Sequence, residues 1–304
     1  MLRCGRAFGG PWVIHVPATW TPQGAENMLA TEQTTVHVAC SNNGENRYSG
    51  TVFWCSQSSW CSQSMASPPH SSNAVLASLA ASDLQVLLPH LRNVDLPQGT
   101  LLFESGATVS RVFFPQAGII SLVANLASGE MIETAMIGRE GVVGGLAALD
   151  GNIAVGRAVA QVAAAASVVD VGPIRRLAEQ SPIFRSSLIR HEQVLLAQSQ
   201  QSAACNAVHS LEARLARWLL RCRDLIGSED IPLTQEFLGQ MLGARRTSVS
   251  LVANTLQNAG FIKYRRGHIR VVDLEGLKES ACECYAVVRS LSERLIGVPP
   301  DAEG

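Results

Sequence analysis

Between residues 231 and 272 the spacing of apolar positions changes twice. Phe237, Leu238, Met241 and Leu242 recur at intervals of three and four, which places them on one face of a helix. Thr234 stands where a side-chain cap belongs. Gly243 follows, and a residue without Cβ can take the left-handed backbone that a sharp helix-to-helix turn needs. From about residue 245 or 246, Val249, Val252, Ala253 and Leu256 line one face of a second helix. Arg245, Arg246, Thr247, Ser248 and Ser250 are left near its start or on its open side. Asn258, Ala259 and Gly260 end it. Two short strand-like runs, 261–264 and 269–272, then flank a turn of Arg265, Arg266, Gly267 and His268. The pattern predicts a helix-turn-helix followed by a wing.

Upstream the pattern is of three kinds. Residues 1–72 show no sustained period and are rich in Ser, Gln, Asn, Gly, Pro and Thr, which predicts a poorly ordered extension. The change near Met65 raises the expectation that translation starts at Met65 or Met28. Residues 73–181 open with Val75, Leu76, Leu79, Leu84, Val86, Leu87, Leu88 and Leu91 at helical spacing. Short apolar runs follow at 99–103, 111–114, 118–125, 131–137, 155–160 and 165–171, which predicts an antiparallel barrel or jelly roll.

Ser181-Pro182 then reads as a helix start, and the helical text continues to Ile226. Val194, Leu195, Ala197, Ser202, Cys205, Val208, Leu211, Leu215, Leu219 and Leu220 share one broad face of this element, residues 182–227. A second copy would cover it most simply, as a parallel two-helix seam. Residues 228–304 hold the winged helix and a last helix over 274–295. The fold class is thus α+β: an N-terminal antiparallel β jelly-roll barrel, a long dimerisation helix and a C-terminal winged helix-turn-helix.

Composition supports two cores: 304 residues, 47% hydrophobic and 16% charged. The longest apolar candidate, 158–171, is interrupted by Gln161 and Ser167 and is too short to span a bilayer. The N-terminus lacks the continuous apolar run of a signal peptide. A cytoplasmic protein with no membrane partner is expected. Net charge is −1, yet residues 231–272 hold six Lys and Arg against one acid, Glu236. Basic side chains at both a helix start and a wing tip suit the phosphates and major groove of double-stranded DNA.

The run 233–249, with Leu233-Thr234-Gln235-Glu236-Phe237-Leu238-Gly239-Gln240-Met241-Leu242-Gly243, resembles the winged helix of the Crp/Fnr superfamily of transcription regulators. The resemblance implies a homodimer on a pseudo-palindromic operator, with RNA polymerase as a further partner. It places Arg246 where the family commonly has a guanine-reading arginine and Thr234 where it has a phosphate-contacting threonine. Arg245, Thr247, Ser248 and Ser250 would neighbour the bases, and Arg265 and Arg266 the DNA backbone. Thr247 stands where many members have glutamate and Leu251 where many have a second arginine. The docking mode should therefore carry over, but the operator sequence should not.

Gly99, Phe103 and Gly106, followed by Val112, Phe113, Phe114 and Gly118, resemble the cyclic-nucleotide-binding barrel of the same superfamily. Gly138, Arg139, Glu140, Gly141 and Arg157 form the corresponding candidate ligand pocket. Glycines let backbone N–H groups approach an anion, and Arg offers a two-pronged contact. Ala158 stands where binders have a hydroxyl, however, and the spacing around Glu140 departs from their pattern. This argues against a cyclic nucleotide and leaves the effector unread.

An iron–sulfur cluster of the family's design lacks its fourth thiolate, since no cysteine lies between residues 73 and 204. Cys282-Glu283-Cys284 is too tight and too isolated for a zinc knuckle, so free buried thiols are expected. His90, His191 and His209 sit in helical text and are read as solvated or core histidines, and one His209/Glu212 pair at helical spacing is common by chance. No metal ligand, catalytic residue or enzymatic motif is assigned. The alternative reading is a cyclic-nucleotide or other small-ligand receptor module acting on a protein partner, whose binding need not fall steeply with salt.

Overall fold

A computed structural model describes residues 3–6, 12–15, 69–127, 130–233, 235–265 and 267–297. The chain divides into two units, 1–64 and 65–304. In the first, β1 (Arg3–Arg6) pairs antiparallel with β2 (Trp12–His15), Arg3 opposite His15. Of the rest of the expected extension, Pro69–Ser72 form a short 3-10 turn ahead of the first α-helix, and the remainder, with both alternative starts, lies outside the described residues.

The second unit begins with α1 (Ala74–Ala77) and α2 (Ala81–Leu87). Asn73 is fully buried: its Oδ1 accepts from the amides of Val75 and Leu76, and its Nδ2 donates to the carbonyls of Pro115 and Gly141, both at 2.8 Å. One residue thus caps a helix and fastens it to two other segments of the barrel.

Five strands follow: β3 (Arg92–Leu96), β4 (Leu101–Phe103), β5 (Arg111–Asn125), β6 (Met131–Ile137) and β7 (Arg157–Asp170). Their order is β3-β7-β5-β6, with β4 also on β7, and every pairing is antiparallel. The expected runs 111–114 and 118–125 are a single strand, and so, within a residue or two, are 155–160 and 165–171. Gly118 does not end a strand. It sits at φ +80° in a bulged stretch where an added Cβ would collide with the carbonyl of Ala163, so it allows two backbones to approach within a sheet. β3 lies outside the apolar pattern because Leu96 is its one buried side chain.

After α3 (Val171–Gln180) come α4 (Pro182–Val208) and α5 (Leu211–Ile226). The single long helix expected here is broken. His209 is extended (φ −92°, ψ 149°), and Ser210 caps α5 by accepting from the amide of Ala213 at 3.3 Å. The apolar face expected to meet a second copy is mostly covered by the chain itself. Val194, Leu195, Ser202 and Cys205 are buried, as are Leu215, Leu219 and Leu220, while Val208 stays 79% exposed. α5 closes a core shared by the sheet's Ile119, Val123, Met136, Val159 and Val162.

The remainder is β8 (Asp230–Ile231), α6 (Gln235–Met241), α7 (Arg246–Asn258), β9 (Ile262–Arg265), β10 (His268–Val271), α8 (Leu274–Ser280) and α9 (Cys284–Ile296). The wing is a three-stranded antiparallel sheet in the order β8-β10-β9. The last helix, expected to be continuous over 274–295, breaks at an extended Ala281 (φ −81°, ψ 152°). The winged helix leans on the barrel. Leu242 bridges to Ile132 of β6, and Gly243 (φ +57°) lies so close that an added Cβ would meet Ile132 Cγ1 at 2.9 Å. No helix among the described residues is long and apolar enough to cross a membrane.

Candidate nucleic-acid interface

The start of α7 is held from behind and open in front. Val249, Ala253 and Leu256 are buried, Val252 half so, and they join the core that includes α5, Leu238, Met241 and Leu242. Arg245, Arg246, Thr247 and Ser248 are exposed, and Arg245, the residue before the helix, makes no side-chain cap. The amides of Ser248 and Val249 donate to the Arg245 carbonyl, but the free N–H groups of a helix's first turn still favour an anion in front of it. Among the described residues neither Arg245 nor Arg246 has an ion-pair partner.

Ser250 is half-buried and its hydroxyl donates to the Arg246 carbonyl at 2.9 Å. Of the five positions expected around the helix start, it faces away most. Leu251 does the opposite: it is 69% exposed on the open side of α7. An apolar side chain presented there can pack on a thymine methyl, a contact an arginine at the same place would not make.

Gln257 accepts from the Tyr264 amide at 2.9 Å, which joins the end of α7 to β9. Arg265 and His268 are exposed across the wing turn, where Gly267 takes φ +82°. Arg270, also exposed, has its Nε 3.9 Å from Asp230 of β8. Thr234 and Arg266, expected to contact the DNA backbone, lie outside the described residues.

The candidate ligand pocket is arranged differently. Glu140 accepts from Arg221 of α5 at 3.0 Å, both side chains largely buried. Arg157 points elsewhere: its Nε is 3.6 Å from Glu104 and its Nη1 3.4 Å from the Met131 sulfur. Arg139 is exposed, and its carbonyl accepts from the Ala74 amide. The glycines make room for the chain's own side chains. A Cβ at Gly141 would collide with His191 Cε1, and one at Gly138 would lie 3.1 Å from Leu225 Cδ2. His191 Nε2 sits 3.1 Å from the Val142 amide and 2.9 Å from its carbonyl, and burial holds this imidazole down to about 4.

Close by is a buried acid that the strand pattern does not single out. Glu133 of β6 accepts from Ser121 Oγ at 2.6 Å and from Trp218 Nε1 at 2.9 Å. Burial pushes its carboxyl up to about 7, against the pull of the Ser121 bond, Arg217, the Trp218 bond and Arg221. The signal in the sequence is an acid inside the apolar run Met131-Ile132-Glu133-Thr134-Ala135-Met136-Ile137.

Residues 213–280 match the family model of the Crp-like helix-turn-helix domain. No curated protein sequence matches the chain. Among solved structures, FixK2 from Bradyrhizobium japonicum is similar, with a TM-score of 0.56 and 15% identity over 63% of this chain and 98% of its own. The c-di-GMP-responsive global regulator CLP from Xanthomonas campestris gives 0.53 and 15% over 63% and 99%. A Crp/Fnr-family transcriptional regulator from Thermus thermophilus gives 0.52 and 23% over 62% and 98%. At these identities the solved structures speak for the fold, and the family match speaks for the helix-turn-helix domain. The chain thus carries a Crp-like helix-turn-helix domain over residues 213–280, and its fold as a whole is that of Crp/Fnr-type regulators, a β-barrel followed by that domain.

Proposed function

We propose that the protein is a homodimer that binds a pseudo-palindromic DNA site through α7 and the wing. The observation that carries this reading is the start of α7, where Arg245, Arg246, Thr247 and Ser248 are exposed on a helix anchored by Val249, Ala253 and Leu256. Arg246 pairs with a guanine edge in the major groove, and Arg245, Thr247 and Ser248 take neighbouring bases or phosphates. Leu251 adds a thymine contact. Arg265, with Arg266 and Thr234, holds the DNA backbone.

The dimer seam is the outer face of α4. Ile189, Gln193, Leu196, Gln200, Ala203 and Ala207 are all exposed and recur at intervals of four and three, the spacing of a two-helix coiled coil. A second copy of this chain fits them because Ile189 and Leu196 supply apolar contacts and the small side chains of Ala203 and Ala207 permit close approach. Two copies of α7 would then enter successive major grooves about 34 Å apart.

The barrel turn around Glu140 acts as a brace between β6 and α5, since its charge is already matched by Arg221 and His191 fills the space over Gly141. A cyclic nucleotide is therefore not its ligand in this reading. The test is selection of bound sequences from random duplexes by the full chain, followed by a salt series on the selected site. A two-fold-symmetric sequence with a steep fall in affinity as salt rises is expected. No enrichment, or binding indifferent to salt, would overturn the proposal in favour of a protein partner.

A further inference from the structure

The two helix breaks bring four metal-binding side chains to one point. Cys205 lies on the last turn of α4, and His209 is the residue that caps that helix, four positions on. Cys282 lies in the break between α8 and α9, and Cys284 is the first residue of α9. Their ligand atoms all lie within 4.8 Å of one another, with the three cysteines buried and the histidine half-buried. Cys205 Sγ is 3.5 Å from Cys282 Sγ, and His209 Nδ1 is 3.5 Å from Cys284 Sγ.

A tetrahedral zinc with bonds of about 2.3 Å to sulfur and about 2.0 Å to nitrogen requires S···S and S···N separations of about 3.5–3.8 Å. The observed spacings are of that size. An iron–sulfur cluster places several irons and bridging sulfides between its ligands and needs a wider cage. The surroundings fit as well. His209 Nε2 lies 3.2 Å from Glu283 Oε1, the carboxylate that orients a ligating imidazole. Gln201 Nε2 donates to Cys284 Sγ at 3.0 Å.

We propose that Cys205, His209, Cys282 and Cys284 form a structural zinc site that clamps the end of α4 to the start of α9. On binding, the three thiols release three protons and three thiolates and one neutral imidazole fill the four positions, leaving one negative charge. Arg214 and Arg217 of α5 lie close enough to the thiols to offset it. The clamp sits beside the His209–Ser210 break, so metal occupancy fixes the angle between the helix that bears the dimer seam and the half that bears α7. Cys282-Glu283-Cys284 is isolated along the sequence because its partners stand 77 and 75 positions away.

The test is metal analysis of the full chain purified under reducing conditions without chelator, and it does not depend on DNA binding. One zinc per chain is expected, lost in Cys282→Ser and in Cys284→Ser and kept in Cys222→Ala, whose thiol is buried elsewhere. Should the serine variants fail to fold, cobalt(II) added to the stripped wild-type chain answers separately. It should give the strong visible bands of a tetrahedral thiolate site, displaced by zinc. Two outcomes would overturn the site: zinc undiminished in both serine variants, or no tetrahedral cobalt spectrum from the reduced wild type.

Discussion

The start of α7 and the turn after β6 are built from the same residue types, glycine and arginine close together in each, and they are put to opposite uses. At α7, Gly243 turns the chain, and Arg245 and Arg246 face water with no acid among the described residues to meet them. At the turn, Gly138 and Gly141 are small because Leu225 and His191 press on them, and Glu140 is tied to Arg221. A charge matched within the chain serves mainly to position its own helix, because an incoming anion would first have to break the pair. A charge left facing solvent at a helix start loses little on meeting a phosphate. In the proposed reading, what separates a brace from an interface is the presence or absence of an internal partner.

The comparison breaks most easily at the proposed dimer seam, since in that reading both copies of α7 act at once. Leu196→Arg places like charges across the proposed two-fold axis. Without the second copy the palindrome is read by one half only, and affinity is expected to fall by about 10²–10⁴, the usual gain from linking two sites. Analytical ultracentrifugation should report a monomer. A dimer with unchanged affinity would remove the seam from α4. Arg246→Ala comes next, at about 1–3 kcal/mol on the selected site with much less on random duplex. Equal loss on both would move Arg246 from base reading to phosphate contact.

Arg265→Ala is expected to do less and to do it evenly, weakening all sequences by a few-fold and lowering the salt slope by about 1. Fluorescence anisotropy across a salt series checks this. The matching change on the inner side is Arg221→Met, which frees Glu140 from its partner. It should lower thermal stability and leave the salt slope unchanged, and a lower slope would mean that Arg221 reaches DNA.

The winged helix is legible in the sequence almost residue by residue because each of its signals is local. Helical spacing sets α6 and α7, one glycine sets the turn between them, and Gly267 sets the hairpin. The barrel is legible as a class and not in its detail. A glycine in a bulge and a glycine in a turn read alike, which cuts β5 in two, and exposed β3 carries too little apolar signal to be seen. The long helix misleads for another reason. α4 is apolar on two faces, one for its own barrel and one free, and the sum of the two hides both the proposed seam at Ile189 and Leu196 and the break at His209. Cys205 and Cys282 lie beyond the reach of any spacing rule, since only the folded chain brings them together.

Glu133 gives the subtlest way to sharpen the contrast, because it is a charge held inside that the fold prefers neutral. Its carboxyl is pushed up to about 7 by burial, from an ordinary 4.5. A carboxyl raised on folding contributes stability that is fully present below about 4.5 and is lost as pH rises through about 7. Burial also raises Glu192 to about 7, with the same sign. His191, held down to about 4, has the opposite sign: its contribution is present above about 6.5 and is lost as pH falls toward 4. The wild-type profile therefore mixes opposing slopes, and a difference between two proteins isolates one of them. Glu133→Gln keeps an oxygen to accept from Trp218 and supplies an N–H toward Ser121, whose hydroxyl can still donate to Gln161. The variant should match the wild type in melting temperature near pH 4.5, gain on it steadily up to about pH 7 and extend or hold that lead above. Its DNA affinity should not change, since Glu133 lies in the barrel core, away from the exposed start of α7. A constant offset at every pH would show that the carboxyl does not titrate in this range and that the Ser121 and Trp218 bonds hold it ionised.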